Sequence, residues 1–178
     1  TAVLGMDADK IKEICESTEG IVSVANYNCP GQIVITGEAG AVEKAAKTLS
    51  ESGAKRCIPL KVSGPFHSAL LNGAGELLSK ELENVMVKKP QIPYVCNVDA
   101  TFVTEESRIK ELLQKQVSSS VCWQQSVENM IANGVDTFVE IGPGKTLTGF
   151  MRKINKDVKV YNVETINDLD KLLEEMAC

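Results

Sequence analysis

Histidine is almost missing from this chain. Among 178 residues there is one, His67. Histidine is the side chain that titrates near neutral pH without help, so any neutral-pH proton shuttle through imidazole has a single address here. With one histidine, and no C-x-x-C pair among the six cysteines at 15, 29, 57, 96, 122 and 178, no zinc framework can be written. Most of those cysteines have apolar neighbours, the setting of packed free thiols, and they read as a reducing, cytoplasmic environment and not as a disulfide scaffold. No apolar run approaches a membrane helix, and there is no signal peptide. Positive charge is not in excess either. A net charge of −5 argues against nucleic acid or an anionic membrane as the main partner, while leaving room for a local basic patch. An initiator methionine is missing: the chain opens on the strand-like run Thr1-Ala2-Val3-Leu4, which reads as a start inside a larger protein. The G-x-S-x-G elbow that would present a nucleophilic serine is also missing.

What is present alternates regularly, and the fold class is α/β. Residues 1 to 61 read as β-α-β-β-α-β. Strands are expected at 1–4, 21–27, 32–36 and 56–60, with Pro30-Gly31 as a turn. One helix, capped by Asp7 or Asp9, buries Ile11, Ile14 and Cys15. A second runs over 39–52 with Val42, Ala45, Ala46 and Leu49 at helical spacing, closed by Gly53. Two such halves make a ferredoxin-like unit. Residues 62–178 alternate helices with short strands, as in a parallel sheet. Helices are expected after His67 (apolar face Leu70, Leu71, Ala74, Leu77, Leu78 and Leu82), at 109–116, 123–133 and 146–154, and after a cap at Asn167. Strands are expected at 92–97, at 137–141 (buried in appearance) and at 158–163.

His67 lies where the strand ending near Val62 meets a Gly64-Pro65 breaker and a helix begins, a junction at which loops present reactive groups. A helix N-terminus beside the ring disfavours the imidazolium and suits a base. The plainer reading, a capping or core-edge histidine, stays open on residue type alone. Gly142-Pro143-Gly144-Lys145-Thr146 invites a phosphate-loop reading, but the required glycine five residues before Gly144 is Val139, and the third glycine of G-x-G-x-x-G would be Leu147. A tight turn remains, with a weak anion site at the helix N-terminus as an option. Ser118, Ser119 and Ser120 read as a structural polar loop.

The segment Val62-Ser63-Gly64-Pro65-Phe66-His67-Ser68 resembles the active-site histidine segment of malonyl-CoA:acyl carrier protein transacylases. Two further stretches agree in order: Asn26-Tyr27-Asn28-Cys29-Pro30-Gly31-Gln32 with the residues up to Gly37, and Val139-Glu140-Ile141-Gly142-Pro143-Gly144 with the residues up to Gly149. Between them, residues 93–99 are close to the family's P-V-x-x-N-V-D, and residues 118–127 to its S-P-V-x-W-x-x-S-V. The resemblance implies a ferredoxin-like subdomain over 1–61 and the C-terminal part of an α/β hydrolase-like acyltransferase core over 62–178. It implies His67 as general base, with its second ring nitrogen on a main-chain carbonyl at Gln116. It implies Phe66 in the acyl pocket, where an aromatic ring goes with malonyl, and a strand end at Asn26 and Asn28 lining the cleft, Asn28 being the candidate for contact with pantetheine. The serine, oxyanion glutamine and carboxylate-binding arginine of the family would lie upstream and have no counterpart here. The implied partners are malonyl-CoA, acyl carrier protein and the missing N-terminal portion of the enzyme, with no metal or redox cofactor. An acidic carrier would dock on basic residues, for which Lys145, Arg152, Lys153 and Lys156, with Lys55, Arg56 and Lys61, are the candidates. A polyketide synthase acyltransferase domain, a non-catalytic CoA- or nucleotide-binding module and an inert structural domain are the alternatives.

Overall fold

The structure is a computed structural model and describes residues 1–177. Cys178 lies outside the described residues. The chain divides into two compact units, Thr1–Ser126 and a second from Val127 on.

In the first unit, β1 (Ala2–Leu4), β2 (Val22–Cys29), β3 (Gln32–Gly37) and β4 (Arg56–Ile58) form a four-stranded antiparallel sheet in the order β2-β3-β1-β4. The turn between β2 and β3 uses Pro30, whose ring presets its φ, then Gly31 at φ +72, the left-handed second corner that glycine accepts without strain. β4 stops at Ile58 and not at residue 60, because Pro59 has no N–H to continue the ladder. Helix α1 (Ala8–Ser17) is capped by Asp7, whose carboxylate accepts the Asp9 N–H at 2.9 Å. It buries Ile11, Ile14 and Cys15, as its spacing requires. Helix α2 (Ala39–Glu51) turns Ala41, Ala45 and Leu49 onto the same core, with Val42 partly buried beside them.

The rest of the first unit is looser. A 3₁₀ turn (Ala69–Leu71) leads into α3 (Asn72–Glu83). The apolar face expected on that helix is only partly covered: Leu71, Leu78 and Leu82 are half-buried, Leu77 is 64 % exposed, and Gly75 is the residue the helix buries. Strands β5 (Tyr94–Val95) and β6 (Phe102–Val103) form a small antiparallel ribbon. It departs from the expected all-parallel pattern, because Asp99 turns the chain back at once by accepting the Thr101 N–H and hydroxyl. Helix α4 (Glu106–Lys115) packs Leu112 and Ile109 over Cys96 and Val103 in a second small core. Helix α5 (Trp123–Ala132) follows.

In the second unit β7 (Thr137–Ile141) and β8 (Lys159–Val163) pair in parallel, linked by α6 (Thr146–Ile154). β7 is not the buried strand its composition implies: Ile141 is 81 % exposed. The last helix, α7 (Ile166–Met176), starts at Thr165 and not at Asn167. Thr165 and Asp168 form a reciprocal capping box, which satisfies two end N–H groups at once. Among the described residues no helix is long and apolar enough to cross a membrane, and Cys15, Cys29, Cys57, Cys96 and Cys122 form no disulfide.

Helix α6 begins at a carboxylate. Glu140, on β7, accepts the Leu147 N–H at 3.0 Å and the Thr148 N–H and hydroxyl at 2.7 and 2.6 Å. Burial alone raises its pKa, but these bonds, with a further one from the Thr146 N–H, outweigh it and hold the carboxyl below its usual range. The glycines at 142 and 144 let the turn fold back far enough for this contact.

Two stability tests follow from this packing. Leu49 has no exposed surface, so Leu49→Ala should cost about 3 kcal/mol in chemical denaturation. Glu140→Gln should cost about 1 kcal/mol at neutral pH, the usual worth of a side-chain cap. Because the folded pKa of Glu140 is depressed, its contribution is complete above the unfolded carboxylate value and disappears as pH falls through the folded one. The gap between parent and E140Q should therefore close on acidification below about pH 4.

Candidate active site

The segment from Pro59 to Phe66 leaves the sheet and brings His67 back to it. Ser68 is buried and donates its hydroxyl to the Pro65 carbonyl at 2.7 Å, which folds the turn onto itself. His67 pays for this with a left-handed backbone, φ +59, which a residue with a Cβ adopts at a cost of about 1–2 kcal/mol. Such a conformation persists only where the surroundings over-determine it.

Here the surroundings are two carbonyl oxygens. The Nδ1 of His67 lies 3.0 Å from Gln116 O and 3.1 Å from Ser119 O. A carbonyl oxygen can only accept, so Nδ1 carries the proton and donates to both. In the neutral ring Nε2 is then the bare nitrogen, able to take a proton. Gln116 caps the C-terminal end of α4, where the last carbonyls of a helix lack partners within it. The same carbonyls bear the partial negative charge of the helix end. The expected acceptor at Gln116 is thus in contact with the histidine, as a main-chain group. The second acceptor, on Ser119, was not legible in a serine run that looks like any polar loop.

The loop carrying these acceptors is tied to the sheet. The Val121 N–H donates to Ala25 O at 2.7 Å, and the Tyr27 N–H donates to Val121 O at 2.9 Å, so Val121 pairs with the outer edge of β2. The Ser120 hydroxyl donates to Val24 O at 2.6 Å. On the other side, Gly75 lets α3 approach: a Cβ there would lie 3.1 Å from Gln114 O. A glycine costs a helix backbone entropy, and this close approach is the reason for one here.

A cleft of about 320 Å³ opens beside the ring, lined by Ala25, Asn26, Thr36, Val62, Phe66 and His67 among others. Phe66 is 54 % exposed, which rules out a core role and places its ring on the cleft wall. Asn26 also lines the cleft. Asn28 does not, and it falls at a shift in the β2–β3 register between Tyr27 and Cys29. His67, Phe66 and the Gln116 carbonyl are therefore brought together, Asn26 joins them, and Asn28 stands apart. A larger cleft of about 560 Å³ shares the walls Leu60 and Val62 but holds neither the histidine nor Asn26. Of the basic residues, Lys55, Arg56 and Lys61 are exposed on the first unit. In the second unit, Lys145 precedes α6, and Arg152 and Lys153 lie in its last turn. The Gly142–Thr146 turn is not an open anion site, because the Glu140 carboxylate already occupies the N–H groups at the start of α6.

The chain as a whole is similar to known proteins. The chain is 46% identical to the malonyl CoA-acyl carrier protein transacylase of Bacillus subtilis, over 98% of this chain and 57% of that protein. The crystal structure of malonyl CoA-acyl carrier protein transacylase from Clostridium perfringens is similar with a TM-score of 0.94 and 46% identity, over 99% of this chain and 56% of the other. A malonyl-transacylase solved in complex with its type II PKS acyl-carrier protein is similar with a TM-score of 0.94 and 37% identity, over 98% and 57%. The chain thus spans little more than half the length of the relatives it matches. The model of the acyl transferase domain family matches residues 2–171, and the chain belongs to that family.

Proposed function

We propose that this chain is the base-bearing portion of a malonyl-CoA:acyl carrier protein transacylase of fatty acid biosynthesis. In this reading residues 1–61 are a ferredoxin-like subdomain, supported by the β2-β3-β1-β4 order, and residues 62–178 are the C-terminal part of the α/β acyltransferase core. The observation that carries the reading is the clamp on His67: two main-chain carbonyls on Nδ1, and Nε2 left bare beside a cleft.

The chemistry follows from that tautomer. A serine in the portion of the enzyme absent from this chain attacks the malonyl thioester carbonyl, and Nε2 takes its proton. The imidazolium is stabilised through Nδ1 by the Gln116 and Ser119 carbonyls. When the tetrahedral intermediate collapses, the C–S bond breaks and the proton passes from Nε2 to the CoA sulfur. The second half runs in reverse: Nε2 removes the proton from the phosphopantetheine thiol of the carrier, the sulfur attacks the malonyl ester, and the serine oxygen leaves with that proton. Phe66 would crowd an α-methyl group on the acyl chain, and Asn26 adds a hydrogen-bonding amide to the cleft lining. Exposed apolar side chains in each unit, Leu77 and Ile92 in the first, Ile141 and Ile166 in the second, support a missing portion that covers them. An acyl carrier protein as partner is supported by the related transacylase solved with one.

The test is intact-mass analysis after brief exposure to malonyl-CoA. This chain alone should gain no malonyl group and transfer none to a carrier protein. With the upstream portion added, malonyl should appear on that portion and transfer should begin. Malonyl found on this chain would overturn the reading. In the combined enzyme, His67→Ala should lower kcat by roughly 10²–10⁴-fold, the range of general base catalysis. Phe66→Ser should relax discrimination against methylmalonyl-CoA by roughly 10–100-fold in relative kcat/KM, the worth of one methyl group in a pocket.

A further inference from the structure

The clamp on His67 depends on a loop whose first half is held by its own backbone, the N–H groups of Gln116, Val117, Ser118 and Ser119 turning back onto carbonyls at the end of α4. From Gln116 to Val121 the chain has left α4 and not yet entered α5, and loops of this kind are the mobile parts of a fold. Yet the carbonyls at 116 and 119 must both stay within hydrogen-bond reach of one nitrogen. What ties the second half of the loop to the sheet is β2. Val24 and Ala25 are successive residues of that strand, and both of their carbonyls are taken by the loop, Val24 O by the Ser120 hydroxyl and Ala25 O by the Val121 N–H. In a regular strand successive carbonyls point to opposite sides. The register of β2 against β3 shifts between Val24 and Asn26, and that irregularity is what lets neighbouring carbonyls serve the same loop.

Of these ties, only the Ser120 bond is made by a side chain. Ser120 lies between the residue whose carbonyl accepts from the ring, Ser119, and the residue paired with the sheet, Val121. The S-P-V-x-W pattern quoted above has proline at this position. Proline stiffens a loop covalently by locking φ. Serine has no such lock, and here its hydroxyl reaches across to the sheet.

We propose that Ser120 is a positioning residue for His67: its bond to Val24 O holds the Gln116 and Ser119 carbonyls on Nδ1 and so sets the ring tautomer. The proposal deepens the transacylase reading, and its catalytic consequence rests on that reading, but the tautomer it sets does not. Substrate contacts on Asn26, the next residue of the same strand but one, would be felt through this junction at the ring.

The single histidine makes the test clean. A long-range ¹H–¹⁵N correlation spectrum of the 178-residue chain contains one imidazole, and its two nitrogen shifts report the tautomer directly. The parent should show the Nδ1–H form. In Ser120→Ala the Nε2–H form, the one a free histidine side chain prefers, should rise from a trace to roughly half of the neutral ring. Ser120→Thr keeps the hydroxyl and should keep the parent spectrum. In the enzyme completed with its upstream portion, S120A should lower kcat roughly tenfold with KM for malonyl-CoA within about twofold, as a misplaced base does. A parent found in the Nε2–H form overturns the proposal without any variant. So does S120A with the parent tautomer, even if less stable, or S120T behaving like S120A. A tautomer shift in S120A alongside full activity in His67→Ala would leave the positioning role intact and sink the transacylase reading instead.

Discussion

Two carbonyl oxygens on one imidazole nitrogen organise this molecule. They decide which nitrogen of His67 is bare, and they hold a histidine in a left-handed conformation that its own Cβ resists. The arrangement is asymmetric by construction. Carbonyls accept and never donate, so a protonated Nδ1 gains two partners there and a bare Nδ1 would face two lone pairs. A carboxylate in that position would do the same for orientation but would add a full charge to the site. Main-chain oxygens at the end of a helix supply a fraction of one, delivered by backbone that side-chain substitution leaves in place.

The sheet of the first unit is the foundation for this clamp. Its core is dense, with Val3, Ile11, Ile35 and Leu49 buried from solvent, while the segments around the histidine bury little. The outer edge of β2 exports that rigidity. It pairs with Val121, accepts from Ser120 and puts Asn26 on the wall of the cleft. One strand thus supports both the acceptors of the ring and the surface facing it. The small second core under α4, with Leu112 over Cys96 and Val103, supports the other end of the loop.

In the second unit a similar logic removes a function that the sequence invites. A Gly-rich turn between a strand and a helix can hold a phosphate when its N–H groups are free. Here Glu140 reaches them from β7, so the helix start is satisfied from within the chain. An external anion would have to displace a carboxylate bound by N–H and hydroxyl donors. The glycines serve the fold-back of the turn, and the anion belongs to the protein.

The sequence by itself determined the local elements wherever period and punctuation agreed. The spacing of Ile11, Ile14 and Cys15, the Pro30-Gly31 corner, and the helix at residues 146–154 all stand where their pattern puts them, because each depends on neighbours a few residues away. It also singled out His67, as the only residue of its kind, and with the family resemblance pointed to Gln116. Exposure was not legible. Leu77 of α3 and Ile141 at the end of β7 have the periodicity of buried residues, but each is exposed within its own unit. Nor could the sequence show the bond from Ser120 to Val24, 96 residues apart, or the Ser119 carbonyl, or the carboxylate at the head of α6. Main-chain acceptors carry no residue identity, and contacts across the fold depend on where two distant segments come to rest. Only the tertiary structure decided which nitrogen of His67 is held and which is free.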